Sequence, residues 1–193
     1  MPSRFNQTFP SRFARSGFGL VELMITIAIL AILAAMAFPS FNYMIRGNRV
    51  STEANDFLSA LNYARNESIT RTRGVTICAA DTTGGSTPTA CGGSTVWTKG
   101  WMVFIDDTAG ATTPTAIDSA AVLRTWIGNT HNTLLPDAAQ TFVRFNPRGQ
   151  ASSDTTGDVT FTLKPVSNCA NQQQRSIVVT ALGRSSSSKV DCT

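Results

Sequence analysis

Charge is sparse in this chain and histidine almost absent. Asp, Glu, Lys and Arg make up 15% of its 193 residues, and His131 is the single histidine. It sits in a polar stretch, Asn129-Thr130-His131-Asn132, with no nucleophile–base arrangement around it, so it reads as a loop residue and the chain as a non-enzyme with no cofactor. No Cys-x-x-Cys spacing occurs, which together with the lone histidine argues against a structural zinc site. The calcium-loop pattern D-x-[DN]-x-[DN]-G is missing too, so Asp106-Asp107 reads as the end of a strand and no metal is expected. The absence of a fixed-period repeat excludes solenoids and propellers. Net charge is small as well. The formal +4 includes Arg4, Arg12 and Arg15, and beyond residue 17 there are 13 basic against 12 acidic groups. A near-neutral chain gives no general case for nucleic-acid binding, which would have to rest on a local patch.

What the chain does have is one long apolar run. The 21 residues from Phe18 to Phe38 contain a single charge, Glu22. At about 1.5 Å per residue that is roughly 30 Å of helix, enough to cross a bilayer core. A carboxylate inside such a run costs about 2.5–3.5 kcal/mol on insertion scales and calls for a partner. Cleavage between Gly17 and Phe18 supplies one, because the new α-amine falls one helical turn before Glu22 on the same face. The basic, acid-free stretch ahead of the cut stays cytoplasmic by the positive-inside rule. Ala35-Met36-Ala37 offers the cleavage site of an ordinary secretory signal instead, but a Glu near the start of the apolar region is foreign to that pattern.

Gly17-Phe18, Glu22 and the apolar helix behind them resemble the prepilin signal of type IV pilins and type II secretion pseudopilins. The resemblance implies that prepilin peptidase removes residues 1–17 and that Phe18 is N-methylated. It also implies that Glu22 pairs with the terminal amine of a neighbouring subunit during filament assembly. The protein would sit in the inner membrane with a periplasm-facing domain before assembly, and in an extracellular pilus afterwards.

Residues 18–39 form the membrane-spanning, filament-core half of the helix in this reading. Pro39 lacks an N–H and clashes with the carbonyl of Ala35, which predicts a kink. Many type IV pilins have a proline at the equivalent place, though Pro39 equally reads as the bilayer exit. Residues 40–73 form an amphipathic half. Val50, Ala54, Phe57, Leu58, Leu61 and Ala64 make one apolar stripe, with Arg49, Glu53, Asp56 and Glu67 mostly off it. The helix is expected to end near Arg73-Gly74, with Gly74 as a left-handed cap, for a total length of about 80 Å.

Residues 74–193 change to a strand-like period. Candidate strands are Val75–Cys78, Trp101–Ile105, Ala121–Trp126, Thr141–Phe145, Val159–Leu163 and Ile177–Val179, with a Gly/Thr/Ser/Pro loop over Asp81–Ser94. Trp97, Trp101 and Trp126 read as core or sheet-face aromatics, and Ser185–Ser188 as a flexible loop tip. The four cysteines, Cys78, Cys91, Cys169 and Cys192, all follow the apolar run, so an oxidising compartment and two disulfides are expected. Three pairings are possible. Cys78–Cys91 with Cys169–Cys192 is favoured because each closes a polar segment otherwise without support. The fold class is α+β, a long N-terminal helix packed on antiparallel sheets.

Gly100–Asp107, Phe145-Asn146-Pro147-Arg148-Gly149 and a terminal strand ending in Gly183-Arg184 resemble the GspH/FimT/FimU group of minor pilins and pseudopilins. The resemblance implies a pilin-like fold, no catalysis, and a role in pilus assembly, priming or the tip, with other major and minor pilins as partners. Two alternatives stay open: a type II secretion minor pseudopilin, and a FimT-like receptor for double-stranded DNA in natural transformation. In the latter a C-terminal Gly-Arg-x-Arg binds DNA. Here Gly183-Arg184 matches, Ser186 stands where the second Arg falls, and Lys189 is the next cation. Arg175, Arg144 and Arg148 are further candidates for such a patch.

Overall fold

The computed structural model describes residues 19–107, 114, 117–154 and 156–192, and the side chains of all of these except 37–40. The expected leader, the Gly17-Phe18 cut and the side chain of Pro39 therefore lie outside the described residues. Contacts divide the chain into two units, Met1–Asn42 and Tyr43–Thr193.

Helix α1 is assigned over Leu20–Arg71. Its start is rich in Leu, Ile, Met and Ala, and Glu22 lies in the first turn, where a carboxylate complements the positive end of the helix dipole. In the second unit the apolar stripe is buried: Val50, Phe57, Ala60, Leu61 and Ala64 are fully covered and Ala54 nearly so. Glu53 departs from the expected pattern and is buried as well. The helix end also differs. It stops at Arg71, Thr72 takes the left-handed conformation (φ 53°), and Gly74 does not. Gly74 serves a close approach instead, since a Cβ there would lie 2.0 Å from the carbonyl oxygen of Asp106.

Among the described residues nine strands follow: β1 (Val75–Ala79), β2 (Gly100–Ile105), β3 (Val122–Ile127), β4 (Asn132–Pro136), β5 (Phe142–Phe145), β6 (Ala151–Ser153), β7 (Val159–Pro165), β8 (Gln174–Val179) and β9 (Ser185–Val190). They form two antiparallel sheets, ordered β3-β2-β1-β5-β6 and β4-β7-β8-β9. The Ser185–Ser188 run is thus the start of an edge strand, not a loop tip. Its serines contribute no apolar side chain. Backbone pairing with β8, from Gln174↔Val190 to Val179↔Ser185, holds it in place. Gly183-Arg184 consequently lies in the β8–β9 turn rather than at a strand end.

Phe57 is where helix and both sheets meet. Its ring makes edge contacts with Trp101 of β2 at 5.0 Å, Phe161 of β7 at 4.9 Å and Trp97 at 5.6 Å. Inward residues of β7 alternate with half-buried ones, the period-two pattern of a sheet with one face on the core. Strand β1 is buried on both faces. Val75, Ile77 and Ala79 join the core under α1, while Cys78 packs into a second cluster with Met102, Phe104 and Phe142. Disulfides Cys78–Cys91 and Cys169–Cys192 tie down the loop after β1 and the end of β9.

Candidate functional site

The first unit presents a surface that water does not favour. Leu20, Val21, Met24, Leu30 and Met36 are all more than 60% exposed, as single examples of an apolar face that continues around the helix. Glu22 is exposed in its midst. The partner amine expected from Phe18 lies outside the described residues. Among the described residues no single helix is long and apolar enough to cross a membrane; Leu20–Met36 and Phe41–Arg71 pass that test only as a pair.

In the second unit the structure sorts the expected cations into three groups. The turns that carry Arg148 and Arg184 come together. Asn146 and Gly149 close the turn carrying Arg148, with the Asn146 side-chain oxygen accepting from the N–H groups of Arg148 and Gln150 at 2.9 and 3.1 Å. Gly183 (φ 77°) closes the β8–β9 turn, and a Cβ on it would lie 1.9 Å from the Gly149 carbonyl oxygen. Arg65 of α1 stands between the two turns and donates from Nε to the Gly149 carbonyl at 3.1 Å. Arg65 was not among the residues that the sequence singled out. Its signal is tertiary, being defined by a contact to a turn 84 residues away.

Arg175 and Lys189 form a second pair, directly opposite each other on β8 and β9. Lys189 is five residues along the strand from Arg184, about 17 Å at strand spacing. Arg175 also donates to the Ser51 hydroxyl at 2.8 Å. Arg144 stands apart from both and corrects the expectation that it joins a patch. It is buried and donates from Nε to Asp106 at 2.9 Å, with Thr76 donating to the same carboxylate oxygen at 2.9 Å. Strand alternation aims Arg144 into the second core cluster beside Phe142, away from solvent.

His131 is exposed in the β3–β4 turn and contacts the Asn129 side chain at 3.0 Å. Nearby, Glu53 accepts from the Asn132 amide at 2.6 Å, linking α1 to the start of β4. Burial pushes the Glu53 carboxyl above its ordinary range; the Asn132 amide and the Asn129 backbone oppose that shift, and the Asp56 charge adds to it. Among the described residues no cluster of three metal-binding side chains occurs.

A long helix, apolar at its start and amphipathic where it packs on two antiparallel sheets, is the architecture of the pilin class. The family of the type II transport protein GspH matches residues 53–183, and the prokaryotic N-terminal methylation motif matches residues 12–38. The chain belongs to the GspH family. Its fold is similar to that of the Pseudomonas aeruginosa (strain PAO1) type IV minor pilin FimU in two crystal forms. One shares 21% identity with a TM-score of 0.50, covering 72% of this chain and 87% of that chain. The other shares 22% identity with a TM-score of 0.48, covering 72% and 91%. No curated protein matches the chain.

Proposed function

We propose that this protein is a minor type IV pilin, a non-enzymatic filament subunit that contributes to pilus priming or the pilus tip. The observation that carries the reading is the exposed apolar face of Leu20–Met36 with one carboxylate, Glu22, in its first turn, set within a methylation motif. Such a face is covered either by lipid or by the helices of other subunits. Prepilin peptidase cuts after Gly17, and the methylated Phe18 amine then offers Glu22 its counter-charge on a neighbouring subunit. An unpaired carboxylate in that setting is penalised by about 2.5–3.5 kcal/mol, so subunits docked out of register are disfavoured. The inner membrane holds the protein before assembly; major and minor pilins surround it afterwards. Mass spectrometry of the mature N-terminus tests the processing step. N-methyl-Phe18 is expected, and a chain that begins elsewhere overturns it. The family description itself names type II transport, and a deletion strain separates the two roles by losing surface pili or losing secreted protein.

A second reading, capture of double-stranded DNA, is favoured by the convergence of the Arg148 and Arg184 turns on Arg65. A few such cations give sequence-independent, salt-sensitive phosphate contacts. Titration of residues 43–193 with short DNA duplexes at two salt concentrations, beside an Arg148→Ala/Arg184→Ala variant, tests it. Salt-sensitive binding lost in the variant supports capture, and no binding at low salt removes it.

A further inference from the structure

Beside α1 the second unit carries a groove that none of these roles uses. Resting on the reading that this protein docks with other subunits, we propose that this groove receives a helix of a different subunit. That helix presents an acidic and a basic side chain two turns apart with an aliphatic residue between them.

The groove lies between the Ile45–Asp56 segment of α1 and the β3–β4 turn. One cavity of about 420 Å³ is lined by Arg49, Glu53, Asp56, Trp101 and Ile127 among others. A second, of about 350 Å³, shares Arg49 and adds His131 and Val166. Its walls are tied together by the Glu53–Asn132 hydrogen bond at 2.6 Å, so the groove is already formed in the free chain.

Three features define the occupant. Arg49 and Asp56 are exposed, opposite in charge, and without an ion pair or hydrogen bond among the described residues. They stand seven positions apart in the chain, about 10.5 Å of helix rise. Ile127 is 73% exposed and Val166 61%, which places apolar surface on the wall facing those charges. Glu53 and Trp101 each bury a polar atom with no hydrogen-bond partner among the described residues, Oε1 and Nε1, so this part of the core is polar beneath its apolar rim. A polyanion fits poorly, because Asp56 and Glu53 bring negative charge to the same site. A lipid tail fits poorly because both ends are charged. A helix laid along α1 has the same two-turn repeat and meets both charges at once while burying Ile127.

The test uses the full-length protein in its own cells, with a photoreactive p-benzoylphenylalanine replacing Ile127 and adducts mapped by mass spectrometry. The expected adduct is to a helix of another prepilin-type subunit, next to an acid and a base seven residues apart. Arg49→Glu, an exposed change, lowers adduct yield at least about tenfold, because like charges then face each other. Reversing the mapped acid to a base restores the yield. An adduct with a second copy of this chain, with lipid or with DNA overturns the proposal. So does an adduct unaffected by Arg49→Glu, or no adduct. The protein content of sheared pili from the same cells separates the two readings. Protein present in pili without the adduct removes the groove alone, and protein absent from pili removes the subunit reading with it.

Discussion

Arg144 and Asp106 face each other inside the second core cluster, each side chain 5% exposed, with Thr76 sharing the carboxylate. Two charges taken out of water this fully are tolerated only as a pair. Removing one leaves the other uncompensated, which typically costs 3–5 kcal/mol, while replacing both by apolar residues of similar size costs much less. Arg144→Ala or Asp106→Ala is therefore expected to destabilise residues 43–193 by about 3–5 kcal/mol in urea unfolding. An Arg144→Met/Asp106→Leu variant should recover most of that loss. Equal losses in single and double variants would show that packing, not charge, is what the pair supplies.

Glu53 predicts a pH dependence whose sign follows from burial. Its folded-state pKa is raised above the ordinary 4.5, so the neutral form is the one the fold prefers. Unfolded chains lose that proton first. The contribution of Glu53 to stability is thus fully present below about pH 4.5 and falls as pH rises through the folded value, then levels off. Glu53→Gln removes this titration. The difference in melting temperature between variant and wild type should shift in favour of the variant on going from pH 4 to pH 7. A difference that stays constant across that range contradicts a raised Glu53 pKa.

Gly183 is held at φ 77°, and a side chain there meets the Gly149 carbonyl at 1.9 Å. Strain of this kind costs on the order of 1–3 kcal/mol. Gly183→Ala should lower stability by about that much in thermal unfolding. Gly93→Ala, with nothing within 4 Å among the described residues and no positive φ, should stay within about 0.5 kcal/mol of wild type. Similar results for the two substitutions would mean that the Arg148 and Arg184 turns are not packed as closely as described.

What could be read in advance was whatever repeats locally. The stripe Val50–Ala64 shows a helical period, and the runs around Phe104, Phe145, Phe161 and Val178 are apolar or β-branched, so helix and main strands were legible. Strand β9 was not, because serines carry no such signal and its position comes from backbone pairing with β8 and from the Cys169–Cys192 tether. Glu53 looked solvent-facing because its partner, Asn132, is 79 residues away. Arg144 was misplaced for the same reason, its counter-charge lying 38 residues back. The left-handed cap was misassigned to Gly74 because a glycine near a helix end serves either such a cap or a close approach. Only the position of Asp106 decides between them.

The central claim, that this is a filament subunit registered by Glu22, is tested most directly by Glu22→Ala. The quantity to measure is the ratio of this protein in sheared filaments to that in membranes. The account predicts unchanged membrane levels and a filament fraction reduced at least about tenfold, since losing an interaction of the size that offsets a buried carboxylate exceeds 1.4 kcal/mol. An unchanged filament fraction would contradict it.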